Sequence, residues 1–268
     1  MRKLLPAIVF GTVIAATPAY AARCGGDFNS FLASMSADAQ AAGISPAVTS
    51  SALSGVTEDA AVLNFDRRQR YTFNKTFEQY VSTRVGSGRI NGGRAMLARN
   101  AALLSRIEAQ FGVPRQILVA IWGLETDFGV NIGKFPTIRS LATLAYDCRR
   151  SDLFRAELLD ALRIVDRGDL AATEMHGAWA GEIGQTQFMP SNYIKYAVDF
   201  DGNGRRDLLR SAPDVLASTA NYLASHGWQR GKGWEPGSPN FAVIQQWNKS
   251  EVYARTIGYF ASQLAHAP

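Results

Sequence analysis

The chain has 268 residues, 47% hydrophobic and 19% charged, with a formal net charge of +5. That length supports one sizeable domain with a hydrophobic core, and the composition reads as globular rather than disordered. The basic excess is mild. It suits an anionic wall polymer as well as many ordinary proteins, so it selects no partner by itself.

Residues 1–21 read as a cleaved signal peptide. Arg2 and Lys3 form a basic start, an apolar stretch of roughly a dozen residues follows, and Ala19-Tyr20-Ala21 is an A-x-A cleavage site. A membrane span needs ~20 apolar residues, more than this stretch or any later one has. The mature chain, 22–268, is expected to be one catalytic domain, exported across the inner membrane to a soluble, periplasmic location. Neither a membrane anchor nor a nucleic-acid partner is expected. Cys24 and Cys148, the two cysteines, are expected to pair in an oxidising compartment, with two free thiols as the alternative. Two such distant thiols make no metal-binding C-x-x-C cluster.

Helical periodicity covers most of the remainder. "FNSFLASMSADAQAAG" and "SPAVTSSALSG" predict two short helices, the second opened by Pro46. A helix is predicted over 70–84, then a Gly/Ser break. A long one follows over 89–111, ended by Gly112, and Pro114 starts "PRQILVAIWGLET", closed by Gly129. Further helices are predicted near 137–148, 152–167, 190–197, 212–226 and 250–265. Segments 177–187 and 199–210 read as irregular and 227–240 as a long loop. No internal repeat or strand ladder stands out. The fold class is mostly α.

The chemistry narrows by exclusion. None of His176, His226 and His266 sits in an H-E-x-x-H pair, and the chain has no G-x-S-x-G elbow or P-loop. Carboxylate acid–base catalysis remains. In "AIWGLETDFGVNIGK", residues 120–134, Glu125 lies on one helical line with Ile121 and Trp122, at the border of a buried face. Desolvation there raises a carboxyl pKa and helps it carry a proton at neutral pH, as glycosidic cleavage requires. A salt-bridged Glu at the core's rim is the plain alternative. Asp127 points away from Glu125 on a continuous helix, so it reads as structural, and the local sequence offers one carboxylate.

"VAIWGLETDFGVNIGKFPTIRSLATLAYDCRR", "WAGEIGQTQFMPSNYIKYAVDFDGNGRRDL" and "DVLASTANYLASHGW" together resemble the lytic murein transglycosylase B family. The similarity extends over about residues 27–265. It implies a lysozyme-like helical catalytic domain with additional helices. It also implies cleavage of the MurNAc–GlcNAc β-1,4 bond of peptidoglycan without water, leaving a 1,6-anhydromuramoyl end. In that family one glutamate performs both proton transfers and the substrate's N-acetyl group stabilises the positive centre; the matching residue is Glu125. The partner implied is a glycan strand with its peptide stems. The resemblance assigns Gln187, Tyr222, Trp247 and Asn248 to the saccharide groove. Tyr80, Arg149 and Arg150 match substrate-side positions, the two arginines suiting a stem carboxylate. The chain departs from the family at Ala178, commonly serine, and at Leu153, where an aromatic is expected. Trp247 occupies what is typically a tyrosine position.

"DFDGNGRRDLLR", 199–210, spaces oxygens like an EF-hand loop: Asp199, Asp201, Asn203, then Gly204 at the sharp turn and the Arg205 carbonyl at position 7. Arg210 stands where the bidentate Glu belongs. The family's loop is longer and a later acid ligates, which points to Asp214. A structural calcium ion is expected there, none being needed for the chemistry. Alternatively Asp214 caps the helix after Ser211, and "DGNG" is an ordinary turn. Two other functions stay open: a hydrolysing muramidase and a non-catalytic peptidoglycan-binding protein.

Overall fold

The computed structural model describes residues 24–68 and 75–265. The expected signal peptide and the start of the 70–84 helix lie outside the described residues. So does His266.

Several helices begin where the sequence supplies a capping side chain. α1 (Phe28–Ala41) is capped by Asp27, and α2 (Pro46–Leu53) by Ser45 with proline in its first turn. α3 (Ala60–Arg68) precedes α4 (Phe77–Arg84), which opens with a Thr76/Gln79 capping box. α5 (Ser87–Arg99) and α6 (Ala101–Phe111) follow, the latter closed by Gly112 in the left-handed region at φ 74°. α7 (Arg115–Thr126), α8 (Thr137–Tyr146) and α9 (Ser151–Asp166) form the middle of the chain. α10 (Pro190–Tyr196), α11 (Ala212–Ser225), α12 (Pro239–Trp247) and α13 (Glu251–Ala265) complete it. Among the described residues the only strands are β1 (Phe135–Pro136) and β2 (His176–Gly177), paired antiparallel.

Three of these differ from the prediction. The expected helix over 89–111 is two, because the Asn100 side chain donates to Met96 O (3.0 Å) and competes with the helical ladder. α3 carries too few apolar repeats to be seen; Asp59 Oδ1 starts it by accepting from Ala61 N and Val62 N. α12 follows a Gly/Pro-rich lead that reads as loop, but Pro239 sits in its first turn and Ser238 Oγ accepts from Phe241 N at 3.1 Å. Both missed helices carry side chains that matter below.

α7 runs through the core: every residue from Ile117 to Leu124 is buried. Each such aliphatic side chain contributes roughly 1.5–3 kcal/mol by leaving water. α5, α6, α11 and α13 pack around α7, while α8 and α9 pack together with α10 beside them. The close approach of α13 depends on Gly123, where an added Cβ would lie 2.7 Å from Phe128 and 3.0 Å from Phe260. Any side chain there pushes α13 off the helix that ends in Glu125. The expected Cys24–Cys148 disulfide is present, Cα atoms 5.2 Å apart, and it ties the start of the described chain to the segment before α9.

Candidate active site

Glu125 occupies the last turn of α7, and the helix ends abruptly after it. Asp127 and Phe128 both take positive φ (51° and 61°). Thr126 fixes this end: its hydroxyl donates to Gln185 O and accepts from Gly129 N at 2.9 Å. Buried Gln185 adds a second tie, accepting from Trp122 Nε1 (2.8 Å) and donating to Leu209 O (2.9 Å). The end of α7 is thus locked to the irregular segment 178–189. Asp127 turns to Arg89 Nε (2.8 Å) and Asn131 Nδ2 (3.1 Å), the structural role expected of it.

The Glu125 carboxyl faces a cavity of about 210 Å³ lined by Glu182, Gln187, Phe188, Met189, Asn192, Tyr222, Trp247 and Asn248. Its Oε1 accepts from Trp247 Nε1 (2.9 Å) and from the Tyr253 hydroxyl (2.7 Å). No described residue bonds Oε2, which leaves that oxygen for a proton and a ligand. Burial pushes the Glu125 pKa up to about 7; the Trp247 and Tyr253 hydrogen bonds and Arg84 oppose this, and the Glu182 charge adds to it. A carboxyl in that range both gives and takes a proton near neutrality.

The walls are aromatic. The Trp247 ring meets Phe188 and Tyr222 edge-on, centroids 5.4 and 5.1 Å away, and the Tyr222 hydroxyl donates to Gln246 O (2.7 Å). Asn248 Oδ1 accepts from Ser250 N (2.9 Å). Asn248 also borders a neighbouring cavity of about 290 Å³ with Tyr80, Arg84 and Tyr253. The Tyr80 ring packs edge-on against Tyr253. The expected groove residues Gln187, Tyr222, Trp247, Asn248 and Tyr80 therefore gather along two adjoining cavities beside Glu125.

Gln187 lines the wall without a free end. Its Oε1 accepts from Ala178 N (3.1 Å), and its Nε2 donates to Ile132 O (2.9 Å) and Gly184 O (2.6 Å). At φ 53° it braces the segment while lining the cavity. Arg149 and Arg150 lie elsewhere, beside Cys24, Cys148 and Leu153. Both pair with buried Asp66 of α3, Arg149 Nη1 at 2.7 Å from its Oδ2 and Arg150 on Oδ1.

The second expected site is the 199–214 loop. Oxygens of Asp199, Asp201 and Asp214 lie within 4.8 Å of one another. Asp214 is fully buried, its Oδ1 accepting from Phe200 N (2.8 Å) and its Oδ2 from Asp207 N (2.8 Å); it also starts α11, where Ser211 Oγ accepts from its N–H. Burial, and then the Asp201 charge, raise its pKa. Three converging carboxylates with one desolvated suit a hard cation such as Ca²⁺. Asn203 Oδ1 accepts from Arg205 N (2.9 Å), and Arg210 turns outward to Glu174 (2.5 Å).

Residues 27–238 match the transglycosylase SLT domain family. The chain belongs to that family. It is 39% identical over 145 residues to the membrane-bound lytic murein transglycosylase B of Escherichia coli (strain K12), a match covering 51% of this chain and 40% of the relative. The matched region thus spans less than half of that relative's length. Among solved structures, SltB3 from Pseudomonas aeruginosa in complex with NAG-anhNAM-pentapeptide superposes with a TM-score of 0.86 at 33% identity, covering 91% of this chain and 80% of that one. The Escherichia coli lytic transglycosylase Slt35 in complex with calcium superposes at 0.77 with 26% identity, covering 91% and 96%.

Within the frame of this transglycosylase family, the residues missed by sequence reasoning are Tyr253, Arg84, Asp66 and Glu182. Tyr253 lies 128 positions from Glu125 with no local signal joining them. Glu182 sits in the quoted "WAGEIGQTQ", and a lone carboxylate among those glycines could have been flagged.

Proposed function

We propose that this protein cleaves the MurNAc–GlcNAc β-1,4 bond of peptidoglycan without water, leaving 1,6-anhydromuramoyl ends, with Glu125 as the single acid/base. The observation that carries this reading is Glu125 itself. It combines a pKa near 7, one oxygen held by two donors and one oxygen open to an aromatic-walled cavity. Membership of the transglycosylase family and the peptidoglycan fragment bound by SltB3 support it.

Glu125 gives its proton to the bridging oxygen as the bond to the muramoyl C1 breaks, and the acetamido oxygen of the same sugar closes on C1. The Glu125 carboxylate then takes the proton of the C6 hydroxyl while O6 attacks C1 and displaces the acetamido oxygen. The enzyme ends in its starting state and consumes no water. Trp247 and Tyr253 serve both steps, since their hydrogen bonds stabilise the ionised form between them.

The same reading places Tyr80, Tyr222, Trp247 and Asn248 along the glycan. Arg149 and Arg150, two cations against the one Asp66 carboxylate, keep a positive charge for a stem carboxylate. A structural calcium ion would be held by Asp199, Asp201, Asn203, the Arg205 carbonyl and Asp214; the calcium bound by Slt35 supports this. Export by residues 1–21 to the periplasm agrees with the disulfide and with a wall substrate. No described helix is long and apolar enough to cross a membrane.

One observation favours a second reading: Glu182 supplies the second carboxylate a hydrolysing muramidase needs. Digestion of purified peptidoglycan by the protein and by Glu125→Gln separates them. Muropeptides one water lighter than a muramidase's, absent with the variant, are expected. Reducing ends would establish hydrolysis, and no release by the wild type would leave a binding protein.

A further inference from the structure

Glu182 is a carboxylate that the mechanism above does not use. It lines the Glu125 cavity from the opposing segment, 178–189. That segment is placed by close backbone contact: a Cβ at Gly177 would fall 1.6 Å from Glu182 O, so β2 can lie against it only as glycine. The side chain turns back on its own loop, Oε2 accepting from Ala180 N at 3.0 Å. The residue's own N–H is the other backbone donor to the carboxyl, and no described residue forms an ion pair with Glu182.

The charged and titratable groups around Glu125 come from four directions. Arg84 and Tyr80 approach from α4, Tyr253 from α13 and Glu182 from the loop, while Arg89 of α5 is already paired with Asp127. Of these, only Glu182 brings a negative charge into the same cavity. Two carboxylates in one desolvated space share a proton rather than both ionising. Burial raises the Glu182 pKa as well, opposed by the Glu182 and Ala180 N–H groups that favour its anion. It is the Glu182 charge that acts on Glu125 and raises it, which puts the shared proton on Glu125.

We propose that Glu182 is a positioning residue of this active site: its ionised carboxylate, set against Glu125 in one cavity, keeps the working proton on Glu125 at neutral pH. This deepens the reading of Glu125 as the acid/base, and it extends the working range of cleavage toward alkaline pH.

The test is a carboxyl ¹³C titration of the wild type, Glu182→Gln and Glu182→Asp, with Glu125→Gln assigning the signal. The Glu125 midpoint is expected to fall by about one pH unit in Glu182→Gln and to stay near the wild-type value in Glu182→Asp. The alkaline limb of kcat should move down with it, leaving KM unchanged. An unmoved midpoint in the amide variant, or an equal fall in the Asp variant, overturns the proposal. If Glu182→Gln does not fold, the wild type alone decides, because Glu182 must titrate below Glu125 and the reverse order refutes the idea. The titration needs no turnover. Anhydro products with an unmoved midpoint remove Glu182 alone, and a shifted midpoint without product removes the proposed activity alone.

Discussion

Glu125→Gln should stabilise the protein at neutral pH while abolishing its chemistry. The folded-state pKa of Glu125, about 7, stands above the ordinary value of 4.5 expected once the chain unfolds. Below pH 4.5 both states carry the proton and the carboxyl costs nothing. Between 4.5 and 7 the unfolded chain releases a proton that the folded one retains, so stability falls as pH rises. Above 7 the penalty is constant. A shift of that size corresponds to about 3 kcal/mol as an upper figure, and the amide, which never ionises, escapes it. For a domain of this size about 3 °C of Tm accompanies each kcal/mol. Calorimetry of both proteins from pH 4 to 8 should therefore show curves that coincide at the acid end. They should part through pH 5–7 and run parallel above, the variant higher by several degrees. A difference that does not depend on pH, or a variant less stable at pH 7, would refute the claim that burial governs this carboxyl.

Three further outcomes follow from the same geometry. Tyr253→Phe removes one donor from Glu125 Oε1; the carboxylate loses more than the acid does, so the Glu125 midpoint should rise by about one unit, read by carboxyl NMR and by the alkaline limb of activity. Millimolar calcium should raise Tm, by an amount set by ligand excess and near 2.7 kcal/mol at a hundredfold excess over Kd. EDTA should reverse it and Asp214→Asn should remove the increment. Replacing Cys24 and Cys148 by serine opens a closure spanning 124 positions, which chain entropy sets at about 5 kcal/mol as an upper figure. The reduced wild type and the double variant should show the same lowered Tm.

Much of this protein is written locally. The periodicity of "PRQILVAIWGLET" announces α7, because burial on every face leaves a near-continuous apolar run, while its end after Thr126 is made by Asp127 in the left-handed region rather than by Gly129. Glu125 is conspicuous for the same reason, a carboxyl at the margin of that run. The spacing of Asp199 and Asp201 is equally local, since one loop brings those oxygens together. The caps at Asp27, Ser45 and Ser211 act within three residues and are legible wherever a helix is.

What the tertiary structure alone decided concerns partners far apart in the chain. Tyr253 and Trp247 reach Glu125 across 128 and 122 positions, and only the packing of α13 on α7, with α12 against α13, makes them its donors. Asp66, on a helix the sequence conceals, claims Arg149 and Arg150 from 84 positions away in the case of Arg150. Gln187 lines the cavity as the resemblance implies, and only the fold shows that three backbone groups also converge on its amide and make it a brace. Glu182 becomes the second carboxylate of the cavity only when its loop folds over the end of α7. Periodicity reports which face of an element leaves water; which distant side chain meets that face is set by how the elements pack.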